Sequence, residues 1–327
     1  MRLTLILFTA VILRAQPSPA EQLIEAGHWK RARTLVEARM KEAPGDALAN
    51  LLLSQIRGAF GDRSAPLTYA EKAVELDGRT AKYHRQIAEV LGVTAQHAGA
   101  LQQLFLARRF RREIDLALAC DPRDVQSLRD LVEYYLLAPG IAGGDARKAA
   151  EVAARIGAID AAAGLLAQAR IAEHEKLSTR ESLLRRAAAH PNYAARIALA
   201  HYYLEAAHTD FTASETAARA AIALNPERVD GYTVLAVVYA ERHEWQQLDD
   251  ALSEAARAVP DDATPHFRAA ERLLAKGQDT PRAERYLRFY LAREPEGNQP
   301  TLADAAQALR QVRAIHTETA THAEGQL

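Results

Sequence analysis

This sequence predicts an all-α chain of stacked helix hairpins, and three observations lead there. Hydrophobic residues make up 49% of the 327 positions but aromatics only 6%. That balance suits alanine-rich helices, whereas a sheet-rich fold needs more β-branched and aromatic side chains. Apolar residues recur at three- and four-residue intervals, so they gather on one face of each helix. Finally, Pro191, Pro226, Pro260 and Pro295 punctuate the chain at separations of 35, 34 and 35 residues.

The stretch 228–262 shows the repeating unit most clearly. Tyr232, Leu235, Ala236 and Tyr239 share one helix face, and Trp245, Leu248, Leu252, Ala255 and Val259 share another. Polar Glu241, Arg242, His243 and Glu244 join the two helices, and the ring of Pro260 stops the second. Ala236 and Ala255, placed on facing helices, let the backbones approach. A larger residue at either position overpacks at about 1–3 kcal/mol. A helix-turn-helix period of about 34 residues with these residue types resembles the tetratricopeptide repeat (TPR) family. The match departs at Ala236 and His243, where the family prefers glycine, and at Leu248, where it prefers alanine. The resemblance implies a right-handed α-solenoid of about seven to eight hairpins closed by a C-terminal capping helix.

In chain order, residues 1–20 read as a signal peptide. Arg2 precedes an apolar run from Leu3 to Leu13 that is too short to span a bilayer comfortably. Cleavage points follow Ala15 or Ala20, and losing Arg2 and Arg14 would take the net charge from -1 to -3. The alternative is an uncleaved N-terminal anchor. Repeat units then follow at about 20–46, 47–78, 79–122, 123–160, 161–191, 192–226, 227–262 and 263–295. Gly27, His28 and Trp29 sit at the first inter-helix turn, and Gly78 replaces the closing proline of the second unit. The third unit is roughly ten residues too long for the repeat, with its second helix extended at its start. In the fourth, Ala138 to Gly144 is an insertion read as a rigid turn, and Asp145 is placed to cap the next helix at about 1 kcal/mol. The fifth unit carries few large apolar residues. A cap helix over 300–316 hides the last apolar face, and 317–327 is polar and frayed.

The stretches FLARRFRREI, DPRDVQSLRDLVEYYLLAPGIAGGDARKAAEVA and YLRFYLAREPEGNQPTLADAAQALRQV resemble a subgroup of exported bacterial TPR proteins. That likeness implies a periplasmic or secreted protein and brings no biochemical activity with it.

Function is constrained mainly by exclusion. A net charge of -1 argues against general electrostatic binding to nucleic acid. Cys120 is the only cysteine, which rules out an intrachain disulfide and a four-cysteine zinc site. It reads as a buried packing thiol at a helix end. No GxSxG, CxxC or dinucleotide fingerprint occurs, and no cofactor is implied. The Gly-rich turn at 138–144 lacks the lysine and preceding strand of a phosphate loop.

By family register, the first helices line a concave surface carrying Lys82, Arg85, Glu89, Gln126, Arg129, Glu133, His201, Glu205, Glu241, Phe267 and Glu271. The reading is therefore a non-catalytic scaffold that takes a peptide or partner helix in this groove, in envelope assembly or organisation. The bland alternative is a solvated inner face on a structural spacer. A third reading has His201, Glu205 and His208, at i, i+4 and i+7 of one helix, as metal ligands of a hydrolase or its accessory, although the spacing is not HExxH. Arg108, Arg109, Arg111 and Arg112 form a basic patch. Either it docks an acidic partner or it is a solvated face paired with Glu113 and Asp115.

Overall fold

A computed structural model describes residues 16–297 and 299–324. Among them there are seventeen α-helices and no strand. The predicted signal sequence lies outside the described residues as far as position 15.

The helices pair in sequence as eight antiparallel hairpins: α1 (Pro19–Ala26) with α2 (Trp29–Glu42), α3 (Ala47–Ala59) with α4 (Ala65–Leu76), and α5 (Ala81–Gln96) with α6 (Ala100–Cys120). Next come α7 (Val125–Leu137) with α8 (Ala146–Gly157), α9 (Ala161–His174) with α10 (Arg180–Ala188), and α11 (Tyr193–Tyr202) with α12 (Phe211–Leu224). The last two are α13 (Asp230–Glu241) with α14 (Trp245–Ala258) and α15 (Thr264–Ala275) with α16 (Thr280–Leu291), followed by α17 (Leu302–Glu324).

Short polar residues start these helices. Asp46, Asp124, Asp145, Asp160, Asn192, Asp210 and Asp279 each accept a backbone N–H of the first turn. Each such cap contributes about 1 kcal/mol. At α1, Ser18 and Glu21 cap each other reciprocally and Pro19 occupies the first turn. Ser18, Pro19 and the buried Ala20 thus take part in the first hairpin of the structure. At the other end, no glycine or proline interrupts 302–324, and α17 continues through most of the segment read as frayed.

Each odd-numbered helix from α3 onward packs against the next odd-numbered one, while no comparably close contact joins successive even-numbered helices. The odd helices thus crowd the inside of a curved stack and the even helices splay on the outside. Fully buried alanines (Ala49, Ala70, Ala73, Ala117, Ala149 and Ala153, all at 0% exposure) bring the helices together, and Ile56, Leu91, Ile114, Leu128 and Ile156 fill the space between. Each such large side chain gives about 1.5–3 kcal/mol. At Gly164 the approach is closest: a Cβ there would stand 2.3 Å from the Gly157 Cα.

The seventh and eighth hairpins join differently from the others. α13 packs closely on α15, whereas α14 barely touches it. Ala236 shares a core with Ala269 and Ala270 of α15, and Ala255 packs with Tyr232 and Val259. The smallness of Ala236 thus serves the junction between hairpins more than the pairing with Ala255 that the sequence suggests. Residues 140–142 form a single 3-10 turn inside the α7–α8 insertion, tied by the Tyr134 hydroxyl donating to the Ala142 carbonyl. Cys120 is exposed, because it is the last residue of α6, beyond the buried face of Ile114 and Ala117.

The two ends of the array meet. Lys30, at the start of α2, donates its backbone N–H to Glu296 Oε1 at 2.7 Å. Its Nζ donates to the Asp261 and Glu294 carbonyls at 2.7 and 2.8 Å, and lies 3.3 Å from Glu296 Oε2. Arg33 pairs with Glu294 at 2.9 Å, and Arg31 pairs with Asp261. Gly297, at φ +85°, fits where a Cβ would press to 3.1 Å from the Ala59 carbonyl. The stack is therefore closed end to end through an ionic clasp.

Candidate functional site: the concave face

Three cavities open along the stack. The central one, of about 280 Å³, lies between α7, α9 and α11 and gathers Arg129, Glu133, Arg170, Glu173, Arg180 and His201. Its charges hold one another. Arg170 forks onto Glu133 at 2.9 and 3.0 Å, and Arg180 forks onto Glu205 at 2.7 and 2.8 Å while also meeting Glu173 at 2.8 Å. Bidentate guanidinium–carboxylate pairs of this kind fix side-chain direction as well as charge. His201 is exposed at the surface, yet the protein around it still holds its imidazole below the ordinary value, through lost hydration outweighing the pull of Asp230 and Glu205.

A second cavity, of about 740 Å³, lies between α3, α5 and the two chain ends, and includes Arg85 and Glu89. Arg85 lies 3.4 Å from Glu89 and 3.8 Å from Asp130. Burial pushes the Asp130 carboxyl up to about 6 against the pull of Arg85. A third cavity, of about 830 Å³, runs between α15 and α17 and includes Phe267, Arg268 and Glu271.

Seven of the eleven residues placed by register are spread over these three cavities, while Lys82, Gln126, Glu205 and Glu241 line none of them. Lys82 binds Glu21 of the first helix at 2.7 Å. Gln126 accepts from Arg129 at 3.3 Å. Glu241 is 3.6 Å from Arg272 and 3.1 Å from Lys276. Phe267 is only 4% exposed and its ring meets Tyr290 at 5.4 Å, so it belongs to the core and reaches the third cavity at its floor.

The histidine trio does not share a helix. α11 ends at Tyr202, and residues 203–208 form turns closed by the Asp210 N–H donating to the Tyr203 carbonyl. Glu205 points to Arg180, and His208 stacks on Tyr202 at 4.3 Å. No group of three His, Cys, Asp or Glu side chains able to hold a metal occurs among the described residues. The arginine patch is largely paired, Arg109 with Glu71, Arg111 with Asp115 at 2.9 Å and Arg112 with Glu113 at 3.6 Å. Register reasoning missed Arg170, Glu173 and Arg180, which lie on or beside the weakly patterned fifth unit, and it missed the whole clasp. The cluster of arginines and glutamates between Arg170 and Arg180 was the available signal.

With this geometry in view, comparison with solved structures gives a clear partner in shape. The chain superposes on yeast Tom70 with a TM-score of 0.58 and 14% identity, covering 94% of this chain and 66% of that one. The fold is an α-solenoid of stacked helix hairpins, the fold shared with that structure. Cut9–Hcn1 of the APC/C follows at a TM-score of 0.45 and 12% identity, covering 90% and 54%. A tetratricopeptide repeat protein from Parabacteroides merdae gives 0.41 and 12%, covering 90% and 96%. This chain therefore spans less than two thirds of the length of Tom70 and about half that of the Cut9–Hcn1 chain. No protein-family model and no curated protein matches the sequence. No described helix is long and apolar enough to cross a membrane.

Proposed function

We propose that this chain is a non-catalytic interaction scaffold of the TPR type, which receives an extended peptide or a partner helix along its concave face. One observation carries the reading: the odd helices present three solvent-reached cavities of mixed polarity in a row along the inside of a stiff stack. A preformed surface of this kind leaves most of the ordering cost to the bound segment. Export to a bacterial periplasm, with a role in organising envelope complexes, completes the proposal and rests on the sequence resemblance. Within it, the leader is cut after Ala15, since cutting after Ala20 removes the Ser18 cap and the buried Ala20 from α1.

The test is photo-crosslinking in the native cell followed by mass spectrometry. The cross-linker is placed in turn at Glu133, at His201 and at Arg112 on the outer helix α6. Partner adducts from the first two positions and none from the third support the groove. Adducts from Arg112 alone, or from no position, leave a convex-face binder or a spacer. N-terminal sequencing of the mature protein reads the leader directly.

A further inference from the structure

The cavity at the chain ends differs from the other two in how it is made. Trp29, next to the clasp lysine, forms one part of its wall, and Gln299, three residues beyond Glu296, forms another. The remainder comes from Ile24 of α1, from α3, α5 and the start of α6, and from the α3–α4 connection with Pro66 of α4. It is thus assembled from both ends of the chain, next to the clasp in which Lys30, Arg31 and Arg33 hold Asp261, Glu294 and Glu296.

Its chemistry is also distinctive. Four glutamines, Gln55, Gln86, Gln102 and Gln299, line it. None of their side-chain amides has a hydrogen-bond partner among the described residues. Gln86 is only 3% exposed, and its Oε1 is buried without a donor. A buried acceptor left unmade is costly and is ordinarily satisfied by something. A carboxamide offers two donors and an acceptor, which matches the alternating N–H and C=O groups of an extended main chain, and Asp62, Arg63, Arg85 and Glu89 add charge of both signs to the same wall. Beside them, Trp29 and Val93 give apolar surface for a side chain of such a segment.

We propose that this composite cavity recognises the main chain of an extended peptide segment, and that closure of the ionic clasp gates its affinity. The proposal rests on the peptide-binding reading above and assigns it to one place. A ligand held by Gln86 and Gln299 together favours the closed ring, and opening the ring weakens the ligand by the same factor.

The experiment uses the full mature chain carrying Trp245→Phe, which leaves Trp29 as the sole tryptophan. Peptides selected by the protein from a displayed random linear library serve as the probe. They are expected to shift Trp29 emission. Gln86→Leu and, separately, Lys30→Glu should each weaken them by about tenfold, a change of 1.4 kcal/mol. Arg33→Glu should weaken them less, and adding Glu294→Arg should restore them. Circular dichroism checks each variant, and Gln86→Leu, which leaves the clasp intact, decides the matter if Lys30→Glu fails to fold. Selected peptides that leave Trp29 emission unchanged and bind Gln86→Leu as well as the parent overturn this assignment while the scaffold reading stands. A chitin oligosaccharide that shifts Trp29 where no peptide does overturns it in favour of carbohydrate. A library that yields no binder removes both.

Discussion

The middle of the concave face and its closed end are built on opposite principles. Around α7, α9 and α11 every acid has found a guanidinium, as Glu133 has Arg170 and Glu205 has Arg180. Around α3, α5 and the chain ends, the cavity is lined by glutamine amides without hydrogen-bond partners among the described residues, beside Asp62, Arg63, Arg85 and Glu89, with the clasp next to it. A ligand entering the middle must first displace ion pairs that are already satisfied. At the closed end it meets groups whose hydrogen bonds are still to be made. Total polarity is thus a poor guide to where a partner gains most, and the state of pairing is a better one.

That contrast can be broken most severely at Lys30. Lys30→Met leaves the buried Glu296 carboxylate without its cation, at about 3–5 kcal/mol. Chemical denaturation should show the loss, and small-angle scattering should show the ring widening. An unchanged profile would mean that the clasp holds nothing.

Acid offers a second route, with opposite signs in the two halves. His266, buried between Phe289 at 3.9 Å and Tyr286 at 5.8 Å, is held down to about 4 by burial first and by Arg293 next, while Asp249 pulls the other way. Its folded value lies below its unfolded one, so its contribution is complete above about pH 6.5 and is lost as the pH falls toward 4. The loss is roughly 3 kcal/mol. Asp130, raised to about 6, works in reverse: its contribution is complete below about pH 3.8 and is lost as the pH rises toward 6. From pH 7 to pH 4 the two contributions nearly cancel in the parent, so its urea midpoint should move little, while that of His266→Gln should rise. Asp130→Asn should be the more stable protein at pH 7, by about 1 kcal/mol.

Next in size is the joint behind the central cavity. Gly164→Ala forces α9 away from Gly157, at about 1–3 kcal/mol. Because α9 also carries Arg170, ligand binding at the centre should suffer while Trp29 at the closed end reports no change. The smallest effect belongs to Glu133 and Arg170. Their side chains are 40% and 32% exposed, so a double-mutant cycle should give only about 0.2–1 kcal/mol. A much larger coupling would place the central pair on the same footing as the clasp.

The stacked-hairpin architecture was legible because each hairpin must bury one apolar face, and that need leaves a 3.6-residue period and a regular spacing of prolines. The closing of the ring was not. Lys30 and Glu296 are 266 positions apart, and no local pattern marks either as unusual. The stretch from His201 to His208 misled for a related reason. It contains no glycine or proline, yet tertiary pull on Glu205 and the packing of Tyr202 and Tyr203 end the helix at Tyr202. The α9 segment looked weak because its contact with α8 is made by the bare backbone of Gly157 and Gly164, which hydrophobic counting does not register.

A linear array of repeats ordinarily has two loose ends, and unravelling begins there because the outermost member has a single neighbour. With Lys30 seated against Asp261, Glu294 and Glu296, the first member borrows a second neighbour from the far side, and the nearest-neighbour chain becomes a cycle. Forming that last contact late carries the loop-closure entropy of the whole array, yet once formed it leaves no free terminus from which fraying can start. Trimming the first hairpin should therefore also loosen the eighth.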